Sequence, residues 1–206
     1  MAWHVVIAGG GFGGFYAART LEKVLPAQSA RITLVNDVNF MLYTPLLPGA
    51  AAGTLEPRHV VVPLREELRR TDVRVGRVTG ADPEARRLDY ETLDGREESL
   101  DWDQLVVALG SVSRVVPVPG LAEYAKGFKT LPDAVELRNH VLRTLEAAET
   151  VEDPVVRQAW LSYVFVGAGY AGLEGLAELQ DFAADVIELY PRCRTQGMRW
   201  ILVEAQ

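Results

Sequence analysis

Two glycine-rich stretches constrain the fold of this chain more than any other feature. The first is "HVVIAGGGFGGFYAARTLE", His4 to Glu22, and the second is "YVFVGAGYAGLEGLAEL", Tyr163 to Leu179. In each, an apolar run that predicts a buried strand precedes a glycine turn and a helix-period pattern. Both stretches have the spacing G-x-G-x-x-G, at Gly9, Gly11, Gly14, Gly167, Gly169 and Gly172. This order of strand, turn and helix is typical of a dinucleotide-binding βαβ unit.

Each glycine of such a motif has its own physical reason. The first allows a tight turn, the second lets the backbone approach a pyrophosphate, and the third lets the helix pack closely against the strand. The pyrophosphate then lies at the amino end of the helix, where unpaired N–H groups point at it. We predict further cofactor contacts from the neighbouring Phe12, Gly13 and Tyr170. The alternative is a glycine-rich turn that holds no ligand.

The second strand of each unit is expected to end in a residue that hydrogen-bonds the ribose. After the first motif, "RITLV" is followed by Asn36 and Asp37, and either side chain could serve. After the second motif, "RWILV" is followed by Glu204. A carboxylate there favours NADH because it binds the free 2′-hydroxyl and repels a 2′-phosphate. The alternative is that these polar residues simply end their strands.

The segments between the motifs complete an α/β pattern. We predict three antiparallel strands in "VRVGRVTGAD", "RRLDYETLDG" and "LDWDQLVVALG", with a hairpin turn at Asp94-Gly95 and a return to the parallel sheet in "QLVVALG". "PRHVVVPLREELRR" predicts one or two short helices, and "LPDAVELRNHVLRTLEAAETV" predicts a long helix capped by Asp133 or a neighbour. The apolar segment "NFMLYTPLLPGAAAGTL" has no clean period and should be covered by protein or ligand.

The predicted fold is therefore α/β, with two Rossmann-like dinucleotide-binding units of parallel sheet and flanking helices. The first unit carries an antiparallel β excursion. A connector rich in Pro and Gly, "SRVVPVPGLAEYA", predicts a boundary that divides the chain into domains 1–114 and 115–206.

Composition excludes several classes of function. The net charge of −7 argues against nucleic acid as a main partner. A single cysteine, Cys193, excludes a disulfide framework and a redox-active cysteine pair. No apolar run reaches the roughly 18 residues of a transmembrane helix, so we expect a cytoplasmic chain. His4, His59 and His140 are scattered along the chain, and we expect no metal site.

Two dinucleotide sites on one polypeptide suggest transfer between two dinucleotides. The usual arrangement places FAD in the first site and NADH in the second, so that a hydride passes from nicotinamide to flavin. We therefore expect FAD and NADH as cofactors. Glu174 follows the second motif in the first turn of the predicted helix, where it would face the nicotinamide. The alternative for Glu174 is a structural role at the helix amino terminus.

At this point the chain resembles the amino-terminal part of the type II NADH dehydrogenases, the single-subunit NADH:quinone oxidoreductases. The resemblance is carried by "VVIAGGGFGGFYAARTLE", "NFMLYTPLLPGAAAGTLEPRHVVVPLREEL", "LDWDQLVVALGS" and "EDPVVRQAWLSYVFVGAGYAGLEGLAEL". It implies an FAD-binding first domain, the start of an NADH-binding second domain, and a quinone as electron acceptor. It also implies that Glu174 matches a family glutamate near the nicotinamide.

The resemblance assigns further cofactor contacts in the first domain. It implies that Thr44, Pro45 and Leu46 lie near the isoalloxazine ring and that the backbone of Val78 holds the adenine. A second flavin-contacting motif, often A-T-G in the family, is Ala108, Leu109 and Gly110 here. Two departures stand out: Asn36 replaces the usual acidic residue, and the sequence stops at Gln206 before the returning half of the FAD domain and the membrane-binding segment. The full-length protein would be peripheral on the cytoplasmic face of a membrane.

Other functions remain open from the sequence. Disulfide reductases and sulfide:quinone oxidoreductases need cysteines near the flavin, which this chain lacks. A ferredoxin-reductase-like flavoenzyme is one alternative, and a non-catalytic nucleotide-binding fragment is another. Homo-oligomerisation is also open.

Overall fold

The computed structural model describes residues 3–113 and 117–204. They form two compact units. The first comprises residues 3–43 and 61–113, and the second comprises residues 44–60 and 117–204. The predicted boundary between residues 114 and 115 lies outside the described residues, and the assignment of 1–114 to FAD and 115–206 to NADH stays a prediction.

The described residues form the following strands and helices. The strands are β1 (Trp3–Ala8), β2 (Ala30–Asn36), β3 (Phe40–Leu42), β4 (Val61–Pro63), β5 (Thr71–Asp82), β6 (Arg87–Thr92), β7 (Glu97–Asp101), β8 (Gln104–Val107), β9 (Ser162–Val166) and β10 (Arg199–Val203). The α-helices are α1 (Phe12–Val24), α2 (Leu47–Ala52), α3 (Leu64–Glu67), α4 (Leu121–Tyr124), α5 (Leu131–Thr150), α6 (Pro154–Trp160), α7 (Tyr170–Val186) and α8 (Pro191–Gln196). Short 3₁₀ helices occur at Thr44–Leu46, Pro57–Val60 and Ile187–Leu189.

The first unit is built on a six-stranded sheet of order β7-β6-β5-β2-β1-β8. β1 lies between β2 and β8 and pairs with both in parallel, which buries its apolar run on both faces. β5, β6 and β7 form the antiparallel excursion. Its second hairpin turns at Gly95, whose φ of 79° requires glycine, so the turn predicted at Asp94-Gly95 is present.

Each face of this sheet carries its own hydrophobic core. The face towards α1 includes Phe15 and Ala18 from the buried stripe of that helix. The opposite face packs β1 and β2 against the antiparallel excursion through Val6, Val35 and Tyr90. The glycine loop after β1 is therefore supported by two packed layers, which is the predicted α/β architecture.

The carboxyl end of α1 is fixed by side chains that precede β5. The guanidinium of Arg70 donates to the carbonyl of Leu25 at 2.9 Å and to that of Pro26 at 3.3 Å. In return, the Glu22 carboxylate accepts from the N–H groups of Arg70 and Thr71, both at 2.8 Å. These bonds satisfy groups that a helix terminus leaves unpaired, so α1 is held at the end opposite to the glycine loop.

The second unit packs helices around α2. This short helix is buried and packs against α5 and α7. Within the apolar segment, α2 is therefore covered by protein, whereas the preceding residues 43–46 are exposed. α5 begins at a capping box, in which the Thr130 hydroxyl accepts from the Asp133 N–H and the Asp133 carboxylate accepts from the Thr130 N–H. Thr130 is thus the N-cap residue, one of the predicted neighbours of Asp133.

One local prediction needs correction. The segment from Pro57 was expected to form one or two short helices, but it also contains β4, which pairs with β3 in an antiparallel ribbon. The hydrophobic periodicity of the sequence does not indicate this pairing, because each strand has only three residues and a helix lies between them in the chain.

The second motif gives the predicted β-α-β order. β9 and β10, which precede and follow α7 in the chain, pair in parallel.

Candidate functional site: two glycine loops

The first glycine loop joins β1 to α1 and is closed by contacts that exclude side chains. Gly9 has a φ of 102°, and a Cβ atom there would lie 2.3 Å from the carbonyl oxygen of Ala108. A Cβ atom on Gly14 would lie 1.7 Å from the carbonyl oxygen of Gly9. Apart from Gly11 itself and its two chain neighbours, no described residue has an atom within 4 Å of the Cβ position of Gly11. The loop is therefore tight at its first and third glycines and open at its second.

The second glycine loop has the same geometry at its second and third glycines, whereas no contact between described residues like that of Gly9 with Ala108 closes it at Gly167. Gly167 has a φ of 103°, and a Cβ atom on Gly172 would lie 2.0 Å from the carbonyl oxygen of Gly167. Again, apart from the glycine itself and its two chain neighbours, no described residue has an atom within 4 Å of the Cβ position of the second glycine, Gly169. Because a pyrophosphate approaches the backbone at the second glycine, this open space fits a dinucleotide at each loop.

Both helices begin without a side-chain cap. Gly11 and Gly169 are the N-cap residues of α1 and α7, and neither helix has an acidic residue in its first turn. The first intrahelical bonds are donated by Phe15 and Leu173, so the preceding helical N–H groups have no intrahelical acceptor. These groups and the helix dipole attract an anion, which is the chemistry that holds phosphate.

A strand-end side chain fixes each loop from the side. The Oδ1 atom of Asn36 accepts a hydrogen bond of 2.7 Å from the N–H of Gly10. Its Nδ2 atom donates to the carbonyl of Val38 at 2.9 Å. In the second unit, the Oε2 atom of Glu204 accepts a hydrogen bond from the N–H of Ala168. Asp37 is exposed and makes no hydrogen bond or ion pair with another described residue.

An aromatic contact that the sequence did not predict lies at the start of α1. The ring of Phe12 contacts that of Tyr43, with centroids 5.4 Å apart and planes tilted by 54°. Their side chains are partly exposed, 39% for Phe12 and 38% for Tyr43. Tyr170, at the matching position of α7, is 91% exposed. The sequence offers one signal for this contact: Tyr43 directly precedes Thr44, the first residue of the segment that the resemblance assigns to the flavin.

Two predicted residues line a small cavity of the first unit. Val78 and Leu109 border a space of about 180 Å³ with Ala8, Leu88 and Leu105. Ala108 closes the glycine loop through its carbonyl, and Gly110 has a φ of 72°. The cavity lies beside the loop and has an apolar wall, which suits one face of a purine ring.

The remaining predicted residues of the flavin segment lie in the second unit. Thr44, Pro45 and Leu46 form an exposed 3₁₀ helix before α2. Their predicted contacts with the isoalloxazine ring stay a prediction.

The position of Glu174 differs from the one expected. α7 begins at Tyr170, so Glu174 lies in the second turn and gains little from the helix dipole. It is exposed and makes no hydrogen bond or ion pair within residues 3–113 and 117–204. The structural role at the helix terminus is therefore wrong, and a role towards a ligand stays a prediction.

The single thiol is expected to be unreactive. Cys193 is buried, its Sγ atom lies 3.5 Å from the carbonyl oxygen of Leu145, and burial raises its pKa to about 11, with the nearby Glu149 carboxylate adding to the shift. Among the described residues, no group of three or more His, Cys, Asp or Glu could hold a metal ion. Within the same residues, no helix is long and apolar enough to cross a membrane.

The buried histidine is structural. The Nδ1 atom of His4 accepts from the Arg31 guanidinium at 2.8 Å, which leaves Nε2–H to donate to the Thr33 hydroxyl at 2.9 Å. Burial, and secondly the charge of Arg31, lower the pKa of His4. A neutral ring with both nitrogens engaged is expected to stabilise the amino ends of β1 and β2.

Matching glycine loops follow β1 and β9, and each leads into a helix and then a parallel second strand. This arrangement defines a dinucleotide-binding protein of the Rossmann class. A model of the family "pyridine nucleotide-disulphide oxidoreductase" matches residues 3–201. The chain belongs to this family.

Two relatives and one solved structure illustrate the similarity. External NADH-ubiquinone oxidoreductase 2 from mitochondria of Saccharomyces cerevisiae is 33% identical over 210 residues, which cover 98% of this chain and 38% of that protein. Type II NADH:quinone oxidoreductase NdhA of Mycobacterium tuberculosis is 35% identical over 200 residues, which cover 96% and 40%. NDH2 from Plasmodium falciparum, solved in complex with NADH, has a TM-score of 0.89 at 24% identity, covering 98% of this chain and 42% of that chain.

These comparisons confirm the resemblance to type II NADH dehydrogenases. The solved structure supports the fold alone at its level of identity. The chain spans about two fifths of the length of the relatives it matches.

Proposed function

We propose that this chain is the dinucleotide-binding part of an NADH:quinone oxidoreductase. FAD occupies the first glycine loop, NADH occupies the second, and electrons leave the flavin for a quinone. The observation that carries the proposal is the repeated loop geometry, tight at Gly14 and Gly172 and open at Gly11 and Gly169. Two such loops on one chain fit electron transfer between two dinucleotides.

The relatives support the choice of donor and acceptor. Their names describe NADH-ubiquinone and NADH:quinone oxidoreductases, and their similarity extends over nearly the whole of this chain. Because the chain spans about two fifths of their length, the quinone and any association with a membrane surface belong to the proposal.

The residues of the chain bind and orient the two nucleotides. The uncapped amino ends of α1 and α7 hold the pyrophosphates, and the backbone at Gly11 and Gly169 approaches them without a side chain in between. The cavity beside Val78 and Leu109 receives the adenine of the first nucleotide. The segment Thr44–Leu46 and the turn at Ala108–Gly110 contribute to the flavin end.

The chemistry comes mainly from the cofactors. When bound, FAD supplies an acceptor for the hydride of NADH. The protein aligns the two rings, and that step needs no acid or base from a side chain. Glu174 is exposed on α7 near the second loop, so its carboxylate is accessible to a bound ligand. Under this proposal, residues 1–114 are the FAD domain and residues 115–206 begin the NADH domain.

Absorbance of the purified chain tests the proposal. We expect a flavin spectrum that bleaches under anaerobic conditions when NADH is added and returns when a soluble quinone is added. A colourless chain whose melting temperature is unchanged by FAD or NADH would contradict the proposal. A chain that holds flavin but does not bleach with NADH would instead indicate a non-catalytic nucleotide-binding protein.

A further inference from the structure

We propose that two tasks performed by Glu204 alone at the second loop are divided at the first loop between Asn36 and Asp37. Asn36 positions the glycine loop, and Asp37 receives the ribose diol of the first dinucleotide. This inference rests on the proposed function and adds which side chain recognises the ribose of the first cofactor.

The strand register shows that residues 36 and 204 occupy equivalent positions. Ala8 pairs with Val35 in the first unit, and Val166 pairs with Val203 in the second. The next residue of each second strand is therefore Asn36 or Glu204. Each accepts a hydrogen bond from the second N–H of its loop, that of Gly10 or that of Ala168. The loop-holding task is common to both units.

The two side chains differ in whether an acceptor atom remains available for a ribose hydroxyl. Glu204 uses Oε2 for the loop, and Oε1 has no partner among the described residues. A carboxylate accepts through both oxygens, so Oε1 can take a ribose hydroxyl while the loop bond persists. Asn36 is held at both ends, by Gly10 through Oδ1 and by Val38 through Nδ2. It is also neutral, and a charged acceptor binds a hydroxyl more strongly.

Asp37 supplies the missing carboxylate. It directly follows β2, at the same end of the sheet as the glycine loop. Its side chain is exposed and makes no hydrogen bond or ion pair with a described residue. The bond from Asn36 to the carbonyl of Val38 closes a turn around position 37, in which Asp37 is exposed while Asn36 stays bonded to the loop.

The division also explains why residue 36 is an amide. A carboxylate at this position could still accept from Gly10, but it would turn its second oxygen towards the carbonyl of Val38. Two acceptors in that position repel each other, whereas the Asn36 amide donates. Asn36→Asp is therefore expected to weaken the turn that presents Asp37.

The ribose half of the proposal is tested by FAD binding. We expect Asp37→Asn to raise the FAD dissociation constant about tenfold, the size of one charge-assisted hydrogen bond. In the wild-type chain, ADP should displace FAD better than 2′-deoxy-ADP does, and Asp37→Asn should remove this preference. Asn36→Ala should weaken the binding of both nucleotides by loosening the turn but keep the preference for ADP, because the Asp37 carboxylate remains. The matched control, Glu204→Gln, should leave the FAD dissociation constant unchanged because it alters only the second loop.

The loop half is tested without a cofactor. Hydrogen exchange at the Gly10 amide, followed by NMR, should accelerate at least about tenfold in Asn36→Ala because the acceptor of that N–H is lost. Asp37→Asn should leave this rate unchanged.

The same experiments distinguish a failure of this inference from a failure of the proposed function. If Asn36→Ala removes the preference for ADP while Asp37→Asn keeps it, Asn36 is the ribose ligand and the division is overturned. It is also overturned if Gly10 exchange in Asn36→Ala matches the wild type. A wild-type chain that binds neither FAD nor ADP overturns the proposed function and the ribose assignment with it.

Discussion

The carbonyl oxygen of Gly9 lies 1.7 Å from the position that a Cβ atom on Gly14 would occupy. The equivalent distance between Gly167 and Gly172 is 2.0 Å. The third glycine of each motif is therefore a packing requirement of the fold, independent of any ligand.

Gly14→Ala and Gly172→Ala are each expected to destabilise the chain by at least about 2 kcal/mol. The added methyl group would overlap a backbone carbonyl oxygen, which can move away only if the loop itself is distorted. Denaturant unfolding measures the change. Gly13→Ala is the matched control, since its Cβ atom would lie no closer than 3.5 Å to Ala108. That variant should be neutral or gain up to about 1 kcal/mol from helix propensity. Equal stability of Gly13→Ala and Gly14→Ala would contradict the close contact.

The second glycine of each loop should behave in the opposite way. Gly11→Val and Gly169→Val each add a side chain to open space, so both variants should fold. Gly11→Val is expected to lose FAD, and Gly169→Val is expected to keep FAD but lose bleaching by NADH. Flavin absorbance before and after NADH distinguishes the two. Yellow protein from Gly11→Val would refute the assignment of the first site.

Glu204 should set the preference for NADH over NADPH. Glu204→Gln retains an acceptor for the Ala168 N–H but removes the negative charge that repels a 2′-phosphate. The ratio of NADH to NADPH reduction rates should therefore fall about tenfold. Glu204→Ala should lower the same ratio and also weaken NADH binding, because the loop loses its acceptor. An unchanged ratio in both variants would remove Glu204 from nucleotide recognition.

Cys193 should resist alkylation in the native chain. With a pKa of about 11, only roughly one thiol in a thousand is ionised at pH 8. Iodoacetamide labelling at that pH should be slow in the native protein and fast in guanidinium chloride, as mass spectrometry would show. Because the native pKa is raised, the contribution of Cys193 to stability is present below about pH 9 and is lost as the pH rises towards 11. Rapid labelling of the native chain would mean that the thiol is accessible.

His4 should make the chain less stable in mild acid. Its native pKa is lowered from 6.5, so the unfolded state takes up a proton first as the pH falls. The stability that neutral His4 provides is present above about pH 6.5 and is lost below it. His140 also has a lowered pKa and acts in the same sense. The urea midpoint should fall less between pH 7.5 and 5.5 (roughly one pH unit either side of a histidine pKa) in His4→Gln than in the wild type.

The control for this prediction is His140→Gln, which should shrink the pH dependence less because His140 is only half-buried. The carboxyl groups of Asp133, Glu136 and Glu149 have lowered pKa values and act only at more acidic pH. An identical fall of the midpoint in the wild type and His4→Gln would contradict the role of His4.

The parts of the fold that depend on local pattern were predictable. β1, α1 and β2 follow from an apolar run, a glycine turn and helical spacing within one short stretch, and the return of β8 to the parallel sheet follows from its apolar composition. The ribbon of β3 and β4 and the helix α2 were not predicted. The helices that pack against α2 are distant in the sequence, so a sequence window around Leu47 cannot predict that α2 is buried.

The candidate site divides in the same way. The glycine positions follow from spacing, because steric limits on a tight turn act within a few residues. The engagement of both ends of Asn36 could not be predicted, since the bond to Gly10 joins residues 26 positions apart. The position of Glu174 was misjudged because α7 begins only after the N-cap Gly169, and one residue decides which turn a side chain occupies.

The position of α2 has a consequence for biosynthesis. Leu47–Ala52 leaves the ribosome early, but the helices that cover it, α5 and α7, are synthesised much later. Until α5 and α7 are made, the alanines and the leucine of α2 have no apolar residues to pack against. The nascent chain therefore exposes an aggregation-prone segment between the two stretches of sequence that form the first sheet. Expression of a fragment that ends before Leu131 should therefore give aggregated material, whereas chaperone supply should matter most while the second half is being made.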